Sequence, residues 1–322
     1  MANQVREIKH VIANDVDVAQ SVDVKTIDAH LFGCIFAAKD ALECGALMGF
    51  PDFEKAHIWN LIECLAQSHR SIRKLLQGEQ SASSVDALAI ARLQVESVYT
   101  ICYLLQGPEN VRLLLKNFWK KKYIRFLLHR EEHVNLPRFD DYYKIKGADL
   151  IDKLQGASFV TDAERRTIDY EQPGFPFGPR PQLVHIPRFP TPGKTIPLIT
   201  DSNRRRMLER IYPEYEFLCS FAHGDAEPAL FGSATDPRSR YRDLFTTGEM
   251  EKFYQEAVLE PPVMYSVLSA VQVATEIASV YPTNVELHAT VAKAWTFLTK
   301  VSLHCVPAWE IRAKSVLGAV GP

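Results

Sequence analysis

The chain has 322 residues, of which 47% are hydrophobic and 24% are charged, and its formal net charge is −2. This composition is ordinary for a globular protein with a sizeable core. It excludes a global electrostatic drive toward nucleic acid or an anionic membrane, so any such partner needs a local basic patch.

Six cysteines are spread along the chain, and none forms a C-x-x-C pair. Several lie within apolar helical patterns, where a free thiol behaves as a small core residue. We therefore expect no disulfide framework and a reducing, cytoplasmic location. The N-terminal segment lacks a basic start followed by an apolar run, so we also expect no signal peptide.

Apolar residues at helical spacing predict helices over 24–47, 52–76 and 85–105. The third is apolar nearly all round, which is typical of a central helix. Arg92 and Glu96 interrupt it at positions i and i+4 and therefore share one face. A buried charge needs a partner, so these residues are either paired in the interior or form a surface ion pair at a helix edge.

The next predicted helix, 111–128, carries the strongest basic run of the chain. No acidic residue occurs from Arg112 through Arg130, and aromatic residues are interleaved with the basic ones. Such a face can bind nucleic acid or another partner, and the alternative is a solvated cationic face. We assign Phe118 and Trp119 to the opposite, apolar side. The candidate binding residues are Arg112, Lys116, Lys120, Lys121 and Arg125.

A possible metal motif follows in His129-Arg-Glu-Glu-His133, which matches the pattern H-x-x-E-H of some zinc proteases. Pro137 comes almost at once, and no strand-rich scaffold accompanies the motif. We interpret it as a polar helix end, and we predict neither a metal site nor a cofactor.

Eight prolines and three glycines from Tyr170 to Pro197 exclude a continuous helix or a central strand. Apolar residues within this segment indicate that it packs on the body, as a lid or as an arm that clasps a partner. The domain prediction is an N-terminal helical half (1–169), a proline-rich loop (170–199) and a C-terminal helical half (200–322) that packs on the first as one body.

A helix that opens with the three arginines at 204–206 is predicted to reach Ile211, and these arginines are a second candidate binding surface. Pro213 is predicted to start a separate helix. A long helix pair is predicted over 261–281 and 284–306. Polar groups in the first of these are too frequent for lipid, so we expect a buried core helix and no membrane partner.

Three candidate catalytic residues lie within the segment 212–231. Ser220 and His223 are neighbours at i and i+3 on a helix, and Tyr215 lies one turn before Ser220. The pair has the chemistry of a nucleophile and its base, and His223 alone has that of a general acid/base. The alternative is a histidine that ends a helix and hydrogen-bonds a neighbouring one.

These motifs carry a resemblance. Arg92-x-x-x-Glu96 followed by an aromatic residue, and Tyr215-x-x-x-x-Ser220-x-x-His223-Gly, resemble a group of uncharacterised bacterial all-helical proteins that is itself similar to HEPN domains. The similarity covers about residues 85–224. It implies a helical bundle and a polar pocket that contains all five of the named residues.

HEPN domains are often RNA-cleaving toxins or defence proteins, whose motif is an arginine, four to six residues, and a histidine on a helix. In this chain that spacing occurs only from Arg180 to His185, inside the proline-rich loop. The resemblance therefore does not carry ribonuclease catalysis over to this protein.

We predict an all-α multi-helix bundle with a long proline-rich loop inserted in mid-chain, and three functions remain open. The first is a soluble bacterial regulatory or defence protein that binds RNA, DNA or a protein partner through its basic residues. The second is a metal-independent nuclease or other hydrolase that uses His223 with Arg92 and Glu96, with Ser220 and Tyr215 as further catalytic candidates. The third is a helical pocket for a small apolar ligand. A homodimer is compatible with each of them.

Overall fold

A computed structural model describes five long stretches of the chain and six further positions. These are residues 24–76, 82–132, 187–223, 261–301 and 306–318, together with 141, 142, 145, 146, 149 and 157. In this part of the chain the regular structure consists of nine α-helices and one short 3₁₀ turn, with no strand. The predicted all-α fold is confirmed.

Six predicted helices are present with ends that differ from the predictions by a few residues, namely 24–47, 52–76, 85–105, 111–128, 261–281 and 284–306, and one short helix lies within the predicted proline-rich loop. The helices of the described ranges are α1 (Val24–Cys44), α2 (Asp52–Leu76), α3 (Ala82–Leu104), α4 (Pro108–Glu132), α5 (Pro192–Thr195), α6 (Ser202–His223), α7 (Pro261–Val280), α8 (Val285–Val301) and α9 (Val306–Leu317), with the 3₁₀ turn Ile196–Leu198 after α5.

The chain divides into two compact units. The larger comprises Met1–Gly49, Lys55–Gln106 and Pro192–Pro322, and the smaller comprises Phe50–Glu54 and Gly107–Thr191. In the larger unit α7 packs against α1, α3, α8 and α9, while α6 packs against α3 and α9. The smaller unit contains α4. The predicted domain boundaries at 169 and 199 stay a prediction.

Helix α7 is the core helix of the larger unit, as its sequence predicts. Several of its polar side chains are buried and hydrogen-bonded: Ser269 donates to the carbonyl of Tyr265, and Thr275 accepts a 2.9 Å hydrogen bond from the Trp295 indole. By length and composition Pro262–Val280 is also the one helix in the described ranges that could cross a membrane, and 83% of its most apolar window is buried. Buried core helices of globular proteins can have the same length and apolar composition.

Helix α6 differs from its prediction, because it runs without a break from Ser202 to His223 and contains Pro213. The proline removes one backbone donor and crowds the preceding turn, which is why a new helix was predicted to begin there. Its ring is exposed, so water can solvate the carbonyl that loses its donor. Ile211 and Tyr215 are buried on either side and hold the two halves in one helix.

The described end of the proline-rich loop is attached to α4 within the smaller unit. The buried amide of Asn117 donates to the Pro187 carbonyl at 2.7 Å and accepts from the Phe189 backbone N–H at 2.9 Å. Two bonds from one side chain fix residues 187–189 without secondary structure. Residues 170–186 lie outside the described part, so the predicted lid or arm stays a prediction.

Candidate functional site

Arg92 on α3 and Tyr215 on α6 meet where these two helices pack. Arg92 Nη2 donates to the Tyr215 hydroxyl at 3.1 Å and lies 2.9 Å from Glu96 Oε2, and the guanidinium is 5.5 Å from the centroid of the Tyr215 ring. Three of the five residues of the predicted polar pocket therefore contact one another. Ser220 and His223 lie in the last turn of α6, where the structure describes the backbone but not these two side chains.

Two further tyrosines and a cysteine complete this Arg92 cluster. The ring centroid of Tyr99 lies 5.7 Å from that of Tyr215 and 6.4 Å from that of Tyr212. Cys219, one helical turn after Tyr215, raises the pKa of both Arg92 and Tyr215. The sequence analysis did not select Cys219 as a site residue, although its i+4 spacing from Tyr215 was a signal for it.

The electrostatics of the Arg92 cluster favour a structural role for Tyr215 over a role as a general base. Burial raises the pKa of Tyr215 to about 12, against the opposing effect of Arg92, so the phenol is neutral near pH 7. Burial lowers the pKa of Arg92, but its bonds to Cys219 and Tyr215 and the charge of Glu96 raise it overall. The guanidinium is permanently charged, and its buried nitrogen Nε has no hydrogen-bond partner among the described residues.

The predicted binding residues on the basic face of α4 differ in their exposure. Arg112 is already paired within the protein, because its Nε lies 2.6 Å from Oε1 of the buried Glu54. Lys116 is partly buried, and the side chain of Lys120 lies outside the description. Lys121 and Arg125 are exposed, as a binding role requires.

One face of α4 carries an exposed aromatic residue followed by basic residues. We call this surface the α4 stripe, and its members are Phe118, Lys121, Lys122, Arg125 and His129. Their spacing of i, i+3, i+4, i+7 and i+11 places them along one side of the helix. The assignment of Phe118 to the apolar side was wrong, because it is 59% exposed, whereas its neighbour Trp119 is 7% exposed. Lys122 was missed.

The arginines at 204–206 do not form the second binding surface that was predicted. Arg204 is buried, with its Nε 2.6 Å from Glu276 Oε2, and Arg205 donates twice to the Ile199 carbonyl. Three consecutive helical residues cover an arc of about 200°, so one of them had to turn toward the core. Of the three, only Arg206 is exposed.

Arg204 belongs to a buried charge cluster, which the sequence did not reveal. Glu276 on α7 is fully buried between Arg204 and Arg312, and Arg312 Nε lies 3.0 Å from Glu276 Oε1. Arg312 also pairs with Asp201 at 2.9 Å, and Gln272 donates to Glu276 at 2.9 Å. Two positive and two negative charges balance, so the cluster ties α6, α7 and α9 together without a net buried charge.

A hydrogen-bonded network of Asp28, His69 and Ser266 joins α1, α2 and α7. His69 Nε2 lies 2.8 Å from Asp28 Oδ1, and His69 Nδ1 lies 2.8 Å from Ser266 Oγ. Burial lowers the pKa of His69 against the opposing effect of Asp28, so the ring is neutral near pH 7. Nε2 must then carry the proton for the carboxylate, and Ser266 donates to Nδ1. This order matches a serine–histidine–aspartate triad, but Ser266 is fully buried and no substrate can reach it.

The histidine motif at 129–133 stays untested as a metal site, because His133 lies outside the described residues. Within the described ranges no group of three or more histidine, cysteine or acidic side chains could hold a metal ion. His129 is on the α4 stripe.

Fold and sites together define an all-α protein with an exposed, aromatic-containing basic helix face and a tied arginine–tyrosine cluster. No known protein family, curated protein or solved structure matches the chain. The HEPN-like resemblance therefore stays a prediction.

Proposed function

We propose that the protein binds nucleic acid through the α4 stripe, in a regulatory or defence role. The observation that carries this proposal is the exposure of Lys121, Lys122 and Arg125 on one helix face together with an aromatic ring. Phosphate contacts from lysine and arginine supply most of the affinity of such surfaces. The local patch therefore provides what a chain of net charge −2 lacks globally.

The segment that carries the stripe contributes no acidic residue of its own between Arg112 and Arg130. The carboxylate of Glu54 is already taken by Arg112. An exposed aromatic ring beside cations is a feature of protein surfaces that bind nucleic acid, where the ring stacks on bases. A purely acidic protein partner would give Phe118 no such role.

The double variant Lys121→Glu/Arg125→Glu is expected to weaken binding of a fluorescein-labelled oligonucleotide on the order of 10-fold near 0.1 M salt. It should also reduce the slope of log K against log salt by about 1.4, because two phosphate contacts to a single strand are lost. Fluorescence anisotropy across a salt series measures both quantities.

The matched control is Arg206→Glu/Arg210→Glu, which makes the same charge change at the same i, i+4 spacing on exposed positions of α6. It should leave the affinity within about 2-fold of wild type, because it alters only the long-range field, which salt screens. Equal losses in the two double variants, or no loss in either, would contradict binding at the stripe.

A second candidate function is a hydrolase at the Arg92 cluster. The contact of Arg92 with Glu96 and Tyr215 supports it, since a guanidinium held in this way can stabilise a phosphate. His223 would be the acid/base. Cleavage of an RNA or phosphodiester substrate by the wild type that persists unchanged in a folded His223→Ala variant would rule out this role.

A further inference from the structure

Phe118 is exposed although both of its neighbours in the sequence are buried. Asn117 is 5% and Trp119 is 7% exposed, whereas Phe118 keeps 59% of its surface exposed. An exposed phenylalanine alone is common on protein surfaces. This one is followed on the same helix face by Lys121, Lys122 and Arg125.

One face of the ring is covered by a cation of the same stripe. Lys122 Nζ lies 4.8 Å from the Phe118 centroid, within range of a cation–π contact. At an exposed site this contact is weaker than the stacking of a base on an aromatic ring. A base can therefore displace the ammonium, which is then available to a phosphate next to that base.

We infer that the α4 stripe takes single-stranded nucleic acid, with a base stacked on Phe118 and the flanking phosphates bound by Lys121, Lys122 and Arg125. This inference rests on the proposed function and names the substrate class of the same site. In a duplex each base face is already covered by its neighbours, and a wedge residue must separate a base step to reach one. In a single strand a face is open at little cost.

The binding test uses four versions of the protein and three polyanions. The protein is wild type, Phe118→Ala, Phe118→Leu or Phe118→Trp, and each variant is checked for an unchanged helical circular dichroism spectrum. The probes are 12-nucleotide single strands of deoxythymidine and of uridine, a 12-base-pair duplex, and polyglutamate at equal charge. The two single strands share the stacking chemistry and distinguish DNA from RNA.

We expect the wild type to bind a single strand at least about 5-fold more tightly than the duplex. Phe118→Ala and Phe118→Leu should each lose about 5- to 10-fold toward the single strand, because leucine keeps apolar area but offers no π face. Phe118→Trp should bind at least as well as wild type, and the fluorescence of its added indole should be quenched by the single strand. Polyglutamate should bind more weakly and be indifferent to position 118.

Two outcomes separate this inference from the function on which it rests. If Lys121→Glu/Arg125→Glu abolishes binding while Phe118→Ala and Phe118→Leu do not weaken it, the protein binds nucleic acid but the stacked single strand is wrong. Equal affinity for polyglutamate, or for the duplex, overturns the inference in the same way. If Lys121→Glu/Arg125→Glu leaves the affinity for every probe unchanged, the proposed function itself is wrong.

Discussion

Replacing Glu276 with alanine is expected to lower the free energy of unfolding by about 3–5 kcal/mol, as for other buried ion pairs that lose one partner. Glu276 is fully buried and is contacted by two guanidinium groups, at 2.6 Å from Arg204 and 3.0 Å from Arg312. Arg312 would keep Asp201, but among the described residues the Arg204 guanidinium would keep hydrogen bonds only to neutral groups, the Cys102 carbonyl and the Ser279 hydroxyl. The loss is large because a buried cation loses its directly paired anion.

Urea unfolding followed by circular dichroism measures this loss, read from the midpoint at an unchanged slope. Glu276→Gln keeps the volume and removes the charge, so its loss separates the electrostatic part from the cavity. Lys314→Ala on α9 is the control, because Lys314 and Glu310 form an exposed pair at 3.2 Å that contributes at most about 1 kcal/mol. A loss below about 1 kcal/mol in both Glu276 variants would mean that the cluster does not stabilise the fold.

The helices could be predicted because periodicity is a local property of the sequence. The dense polar residues of α7 even indicated burial in protein rather than lipid. What could not be predicted is which polar group meets which, since Arg204 and Glu276 are 72 residues apart in sequence. Three neighbouring arginines look like a surface, and only the tertiary structure shows which of them the core needs.

The candidate sites divide in the same way. Arg92 and Glu96 were paired correctly because an i, i+4 contact is fixed by helix geometry alone. Tyr215 joins them from 123 residues away, and only a resemblance placed it there. Phe118 was misplaced because adjacent helical residues point about 100° apart, and composition cannot say which of two aromatic neighbours faces the core.

The stability of the larger unit is expected to depend on pH through Glu214, a partly buried residue on α6. Its Oε2 accepts a 3.2 Å hydrogen bond from the indole of Trp309, which is fully buried on α9. Burial raises the pKa of Glu214 from its ordinary 4.5 to about 7, although the bond from Trp309 opposes the rise. The carboxyl is therefore protonated at pH 5 and ionised in apolar surroundings at pH 8.

The sign of the effect follows from which state binds the proton. Between pH 4.5 and about 7 the folded chain holds a proton on Glu214 that the unfolded chain releases, so stability falls as the pH rises from 4.5 to about 7 and then levels off. The full effect is about 3 kcal/mol. His69 acts oppositely, because its lowered pKa makes the unfolded chain the better proton acceptor below pH 6.5. The pH profile of the wild type alone therefore cannot isolate Glu214.

The difference in the free energy of unfolding between wild type and Glu214→Gln isolates the contribution of Glu214. Glutamine resembles the protonated acid, so the two proteins should have similar stability at pH 4, and the variant should be more stable by about 3 kcal/mol at pH 8. Glu209→Gln, at an exposed position of the same helix, should shift stability by less than about 0.5 kcal/mol at each pH. Parallel profiles for wild type and Glu214→Gln would contradict the buried carboxyl.

The same titration should act locally on α9, because Glu214 and Asp201 hold that helix at two different points. Ionisation of Glu214 leaves a charge in apolar surroundings beside Trp309, which favours opening of α9 toward water, whereas the ion pair of Arg312 with Asp201 stays in place. Hydrogen exchange, corrected for the intrinsic effect of pH, should then show that α9 loses protection between pH 5 and pH 7 before α7 does. Equal loss in the two helices would mean that Glu214 affects only global unfolding.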